Sequence, residues 1–121
     1  MLDYSHIINT EGNMEKRIYE MHASICNVFS NPKRLEIIDL LRDGEKSVNE
    51  LSSLMEIPQA NLSQHLSLMR HRGILETRRE GVNIHYSIAN LKVIKAFDIM
   101  REVLLEQLSR HEKMFKKIKS A

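Results

Sequence analysis

The chain has 121 residues, 42% hydrophobic and 28% charged, which suits one soluble globular domain. Its net charge is only +2, with a pI near 8.8, so any case for binding an anionic polymer has to rest on where the cations sit. No apolar run approaches the roughly 18 residues of a membrane-spanning helix. The single cysteine, Cys26, excludes an intrachain disulfide and a Cys-rich zinc module, and the first residues lack the basic start and apolar centre of a signal peptide, so a cytoplasmic protein is expected.

Residues 1–13 read as a flexible N-terminal arm ending in Gly12-Asn13, followed by a single domain over 14–119. From Met14 to Phe29 the apolar residues Met14, Ile18, Met21, Ile25 and Val28 alternate in steps of four and three, the seam of an amphipathic helix. Ser30-Asn31-Pro32 stops it and starts a second helix, with Asn31 as cap and Pro32 in the first turn. Leu35, Ile38 and Leu41 form its inner face, and Asp43-Gly44 ends it.

Ser47-Val48-Asn49-Glu50 has the form of a capping box and opens a short third helix with Leu51, Leu54 and Met55 inward. Glu56-Ile57-Pro58 interrupts it. A fourth helix runs from about Pro58 to His71, with Leu62, Leu66 and Met69 on one face and Gly73 closing it.

The period then changes. Val82, Ile84, Tyr86 and Ile88 alternate with polar residues, as in a half-buried strand, and Leu75 to Arg79 is its partner across a turn at Glu80-Gly81. Leu91 to about Lys119 reads as one long helix, with Phe97, Met100, Leu104, Leu108, His111, Phe115 and Ile118 three or four residues apart. The order α-α-α-α-β-β-α, mainly α with a β-hairpin wing, is the winged helix-turn-helix plan.

Four stretches resemble the ArsR/SmtB family of transcriptional repressors: Asn31 to Leu35, Ser47 to Leu51, Gln59 to Leu66, and Arg78 to Gly81 with His85-Tyr86. The most specific is Leu-Ser-Gln-His-Leu at this distance after Ser-Val-x-Glu-Leu. The resemblance implies a homodimer joined through its first and last helices, binding a pseudo-palindromic operator in double-stranded DNA. It also implies repression by promoter occupancy, with release by an effector that the sequence does not identify. Two positions depart from the family, which usually has Ser where this chain has Pro58 and Ala60.

In such a protein the start of the fourth helix enters the major groove. Gln59, Ala60, Asn61, Ser63 and Gln64 are the candidate base-reading residues, because Gln and Asn bond adenine bidentately and the Ala methyl meets a thymine methyl. Ser47 joins them as a DNA-contact candidate, and His65, to one side, is expected at a phosphate. Arg78 and Arg79, with Asn83 past the turn, are the expected backbone grip of the wing. The competing reading is a solvated hairpin with Glu76 and Glu80 as charge partners. Arg70 and Arg72 are expected to favour the helix C-terminus, and the basic tail from Arg110 to Lys119 is either a solvated helix end or a site for an anionic partner.

For sensing, the resemblance points to known metal sites that this chain does not carry. The third helix, Val48 to Leu54, has no thiol, and the positions matching a second site are Asn90, Lys92, Val103 and Glu106, where lysine and valine do not ligate zinc. No metal and no cofactor is expected. Cys26 with His22 four residues earlier is the remaining candidate sensor, alone or with His111 of a partner subunit; the plainer reading is a small thiol buried at a helix interface. An enzyme is not expected, since phosphate-loop, HExxH and nucleophile motifs are missing and Ser63 and His65 do not face each other. The alternative function is a winged-helix module for dimerisation or protein interaction that does not read DNA.

Overall fold

A computed structural model describes residues 14–120. The expected arm over 1–13 lies outside the described residues. The elements are α1 (Met14–Cys26), a 3-10 turn (Asn27–Ser30), α2 (Pro32–Leu40), β1 (Lys46–Ser47), α3 (Val48–Met55), α4 (Gln59–His71), β2 (Leu75–Glu80), β3 (Asn83–Ile88) and α5 (Lys92–Lys119).

Asn31 starts α2 as its spacing requires: its Oδ1 accepts from the N–H groups of Lys33 (2.9 Å) and Arg34 (3.3 Å), and Pro32 fills the first turn. The Arg34 guanidinium reaches back to the carbonyls of Val28 and Asn27, which ties the 3-10 turn to α2. That turn is a departure from the single helix expected to Phe29.

The core gathers α2, α3 and α4 with the base of the hairpin. Ile37, Ile38, Leu51, Leu62, Leu66 and Met69 are fully buried there, with Ile74, Leu75 and Ile88 beside them. Two details differ from the sequence pattern. Ile37 is fully inside while Leu35 is only half-buried, because α2 is covered on more than one side. Leu54 is exposed, because the short α3 turns only Leu51 and Met55 inward.

Helix α4 ends in a Schellman motif. Gly73 sits at φ +78, its N–H donates to the Arg70 carbonyl and the Ile74 N–H donates to that of Met69, with Ile74 and Met69 both buried.

The sheet has three strands in the order β1-β3-β2, all antiparallel, where a two-stranded hairpin was expected. The extra strand is Lys46–Ser47, which pairs with Tyr86 and His85. The register Glu80↔Asn83 puts the turn at Gly81-Val82, one residue later than expected. Gly81 at φ +61 is the first loop position, as a type II′ hairpin favours, and Val82 is the wing tip at 97% exposed, not a half-buried strand residue.

The flanking helices are different in kind. None of the residues of α1 is buried, and in the 28-residue α5 only Phe97 is. Helix α5 is about 42 Å long at 1.5 Å per residue. Asn90 Oδ1 accepts from the Lys92 N–H (2.9 Å) at its start, and Arg42 at the end of α2 binds Asp98 through two hydrogen bonds (2.8 and 3.2 Å). Beyond that anchor Met100, Leu104, Leu108, Phe115 and Ile118 form an uncovered apolar stripe. No helix among the described residues is long and apolar enough to cross a membrane.

Candidate nucleic-acid interface

Helix α4 divides cleanly. Leu62, Leu66 and Met69 are 0% exposed on the inner side, while Ser63, Gln64 and Ser67 between them face outward. Gln59, Ala60, Asn61, Ser63 and Gln64 are all exposed, and Gln59 and Ser63, four apart, share a ridge. Pro58 gives the helix a fixed entry (φ −60) without a side-chain cap.

The turn into α4 is tight. Glu56 takes the left-handed conformation (φ 55, ψ 44), the one non-glycine residue with positive φ among the described residues. Ser52 Oγ donates to the Ile57 carbonyl (2.6 Å), and the Ile57 N–H donates to the Ser52 carbonyl (3.3 Å).

The start of α3, the start of α4 and the wing tip enclose a cleft of about 380 Å³, lined by Ser47, Val48, Asn49, Gln59, Ser63, Val82, Asn83 and Ile84. Its polar lining is uncharged. Gln59 Nε2 donates to Asn49 Oδ1 across it. Asn49 is a residue the sequence reading passed over, because a second helical position carries no signal by itself.

Ser47 is 8% exposed and its hydroxyl oxygen caps α3. It accepts from the Glu50 N–H (3.1 Å), while Glu50 Oε1 accepts from the Ser47 N–H (3.2 Å), which completes the expected capping box. The Glu50 carboxyl is held below its ordinary range first by that backbone bond and then by the Ser47 hydroxyl.

The two wing arginines lie on opposite faces of β2. Arg78 is opposite His85 and Arg79 opposite Ile84, a residue of the cleft wall. The Arg78 guanidinium holds the Glu45 carboxylate (Nε to Oε2 3.1 Å) and also reaches Glu80 (3.2 Å). Glu45 is consequently pushed below the usual carboxylate range, chiefly by the hydrogen bond from Arg78. In the single chain Arg78 is thus held by Glu80, as the competing reading had it, and by Glu45, 33 residues away in sequence and invisible to local pattern. Glu76 is not a partner. Among the described residues no carboxylate pairs with Arg79, which is exposed.

His65 is half-buried on the flank of α4. Burial first, then the positive charges of Arg34 and Lys33, push its pKa down, so it is neutral at neutral pH. Arg72, expected only to favour the helix C-terminus, donates to the Ser24 carbonyl and fastens α1 to the end of α4. Cys26 and His22 are both exposed on α1 in the single chain. His111 lies on the exposed far half of α5, and among the described residues no three or more His, Cys, Asp or Glu side chains are grouped to hold a metal ion.

Comparison with known proteins matches residues 31–77 to the family described as bacterial regulatory protein, arsR family. The transcriptional activator HlyU of Vibrio cholerae is 34% identical over 79 residues, which is 65% of this chain and 73% of that protein. The biofilm growth-associated repressor of Xylella fastidiosa is 36% identical over 98 residues, 81% of this chain and 85% of that protein. The chain belongs to the arsR family of bacterial regulatory proteins.

Solved structures agree with the fold. A homodimeric winged helix-turn-helix DNA-binding domain from Mycobacterium bovis superposes with a TM-score of 0.74 at 27% identity, covering 84% of this chain and 93% of that one. The arsR match begins at the α2 cap and ends in β2 just short of Arg78. It therefore takes in the whole helix-turn-helix, while α1, the wing tip and α5 lie outside it.

Proposed function

We propose that this arsR-family chain works as a cytoplasmic homodimer that binds a pseudo-palindromic operator in double-stranded DNA and represses by occupying the promoter, until an effector releases it. Gln59, Ala60, Asn61, Ser63 and Gln64 read base edges in the major groove. His65 sits against a phosphate. Arg79 and Asn83 take the backbone beside the wing, with Arg78 joining when it leaves Glu45. Ser47 holds the start of α3 and, from the cleft wall, has its O–H available to donate to the DNA. The activity is binding, not catalysis.

The observation that carries this reading is the division of α4: a fully buried inner face and, outside it, an exposed run of uncharged hydrogen-bonding side chains next to a cleft and a projecting wing. Such a face suits base edges better than it suits a hydrophobic partner. Dimerisation is supported by the uncovered apolar sides of α1 and α5. With twofold symmetry the half-sites lie about 34–36 Å apart or a multiple of that.

The test is a gel shift on the DNA upstream of the chain's own gene against scrambled DNA of equal length. Gln59→Ala with Ser63→Ala should remove the preference for the upstream DNA and leave weak, salt-sensitive binding. Equal binding to both DNAs by the unaltered protein would remove the operator reading in favour of a protein-interaction module.

A further inference from the structure

We infer that Asn49, on α3, is a positioning residue that sets how Gln59, the first residue of α4, presents its amide to a base. This rests on Gln59 reading a base, as proposed above.

The two residues come from helices whose starts are fixed relative to each other. Asn49 lies within the Ser47–Glu50 capping box, and Ser47 is paired with His85 in the sheet, so the backbone under Asn49 is held from two sides. Gln59 follows a three-residue turn braced by the paired hydrogen bonds of Ser52 and Ile57. Across the cleft Gln59 Nε2 donates to Asn49 Oδ1. Among the described residues no charged side chain lines this cleft, so none of them offers an ion pair that competes for either amide.

A glutamine amide has two N–H donors and one oxygen. The bond to Asn49 uses one donor. What remains is one N–H and the carbonyl oxygen, the pair that bonds adenine at N7 and N6. A free glutamine loses rotamer freedom when it is ordered on DNA; one already tethered loses less, and it offers its donor and acceptor in a set direction. Asn49 thus acts on discrimination between bases through Gln59, without having to touch the DNA.

The experiment measures binding of Asn49→Ala, Asn49→Asp, Gln59→Ala and the Asn49→Ala/Gln59→Ala double variant to the operator and to single-base variants of it. Circular dichroism confirms that each is folded. Gln59→Ala identifies the base pair at which discrimination is lost. At that pair Asn49→Ala should cut discrimination about fivefold or more, and should do nothing further in the Gln59→Ala background. Asn49→Asp keeps the acceptor oxygen, so it should keep the base preference while its negative charge weakens binding to every sequence alike.

Discrimination that survives Asn49→Ala, or an equal loss with and without Gln59, overturns the positioning role and leaves base reading by Gln59 intact. If Gln59→Ala changes preference at no base pair, the base-reading assignment falls and the role of Asn49 falls with it.

Discussion

The guanidinium of Arg42 closes on the carboxylate of Asp98 with two hydrogen bonds, 2.8 and 3.2 Å, and so joins the end of α2 to the second turn of α5. The Phe97 ring, 4% exposed, packs against both Arg42 and Arg101, 5.7 and 4.8 Å from its centre. The hydrogen bond from Arg42 is the main reason that the Asp98 carboxyl sits below its usual range. A carboxyl depressed in the folded state contributes stability above the unfolded value, about 3.9, and loses it as pH falls through the folded value. Asp98→Asn should therefore be less stable than the parent at pH 7, and the gap should be narrower at pH 3. Urea midpoints at the two pH values check this.

In the proposed complex Glu45 competes with DNA for Arg78. Glu45→Gln should raise affinity for any DNA sequence and steepen the salt dependence, by up to about one unit of slope if Arg78 then takes a phosphate. For the same reason Arg79→Ala should lower the slope by about one unit, and Arg78→Ala by less. Titrations by fluorescence anisotropy at several salt concentrations give all three slopes; equal losses for both arginine variants would mean that the Glu45 pair has no hold on Arg78.

His65 acts in the same direction as the depressed carboxylates, losing stability as pH falls, but in a higher pH window. Its folded pKa is depressed, so as pH falls below about 6.5 the unfolded chain takes up a proton first and the fold is penalised, fully so below the folded value. His65→Gln should flatten the stability profile between pH 7.5 and 5. An unchanged profile would show that the burial of His65 and its neighbours Arg34 and Lys33 do not act on it.

Glu56 ends α3 in a conformation that costs an L-residue about 1–2 kcal/mol, while a glycine there gives back about 0.4–1 kcal/mol through the freedom of the unfolded chain. Glu56→Gly should therefore stabilise the protein by about 0.5–1 kcal/mol. Thermal melts at matched concentration are the measurement.

Leu104 is 47% exposed in the single chain and contributes little to its core. Leu104→Glu should keep the helical circular dichroism signal yet shift the protein to a monomer in light scattering at micromolar concentration. Persistence of a dimer would place the interface away from the α5 stripe.

What was legible in the sequence was local. Ser47 and Glu50 are three residues apart and cap as expected, and the spacing of Leu62, Leu66 and Met69 identified the inner face of α4. What was not legible depends on distant partners. Lys46–Ser47 is too short to read as a strand until it meets Tyr86 and His85, and Glu45 finds Arg78 only through the fold. The hairpin turn was one residue out because Gly81 suits either loop position. At the proposed DNA face the exposed residues of α4 were readable from the pattern. The Asn49–Gln59 bond was not, because it spans two helices.

The bare flank of α5 has a consequence for abundance. Apolar residues left in water by one chain are sheltered only if a second chain arrives, so stability rises with concentration by mass action. With pairing through this stripe, the number of complete dimers below the dissociation constant falls with the square of the free chain. Halving the cellular stock would then remove more than half of the operator-competent molecules. The separated chains, with α5 uncovered, would be the ones a protease meets first. Dosage and lifetime would fall together, and repression would fade faster than dilution alone allows.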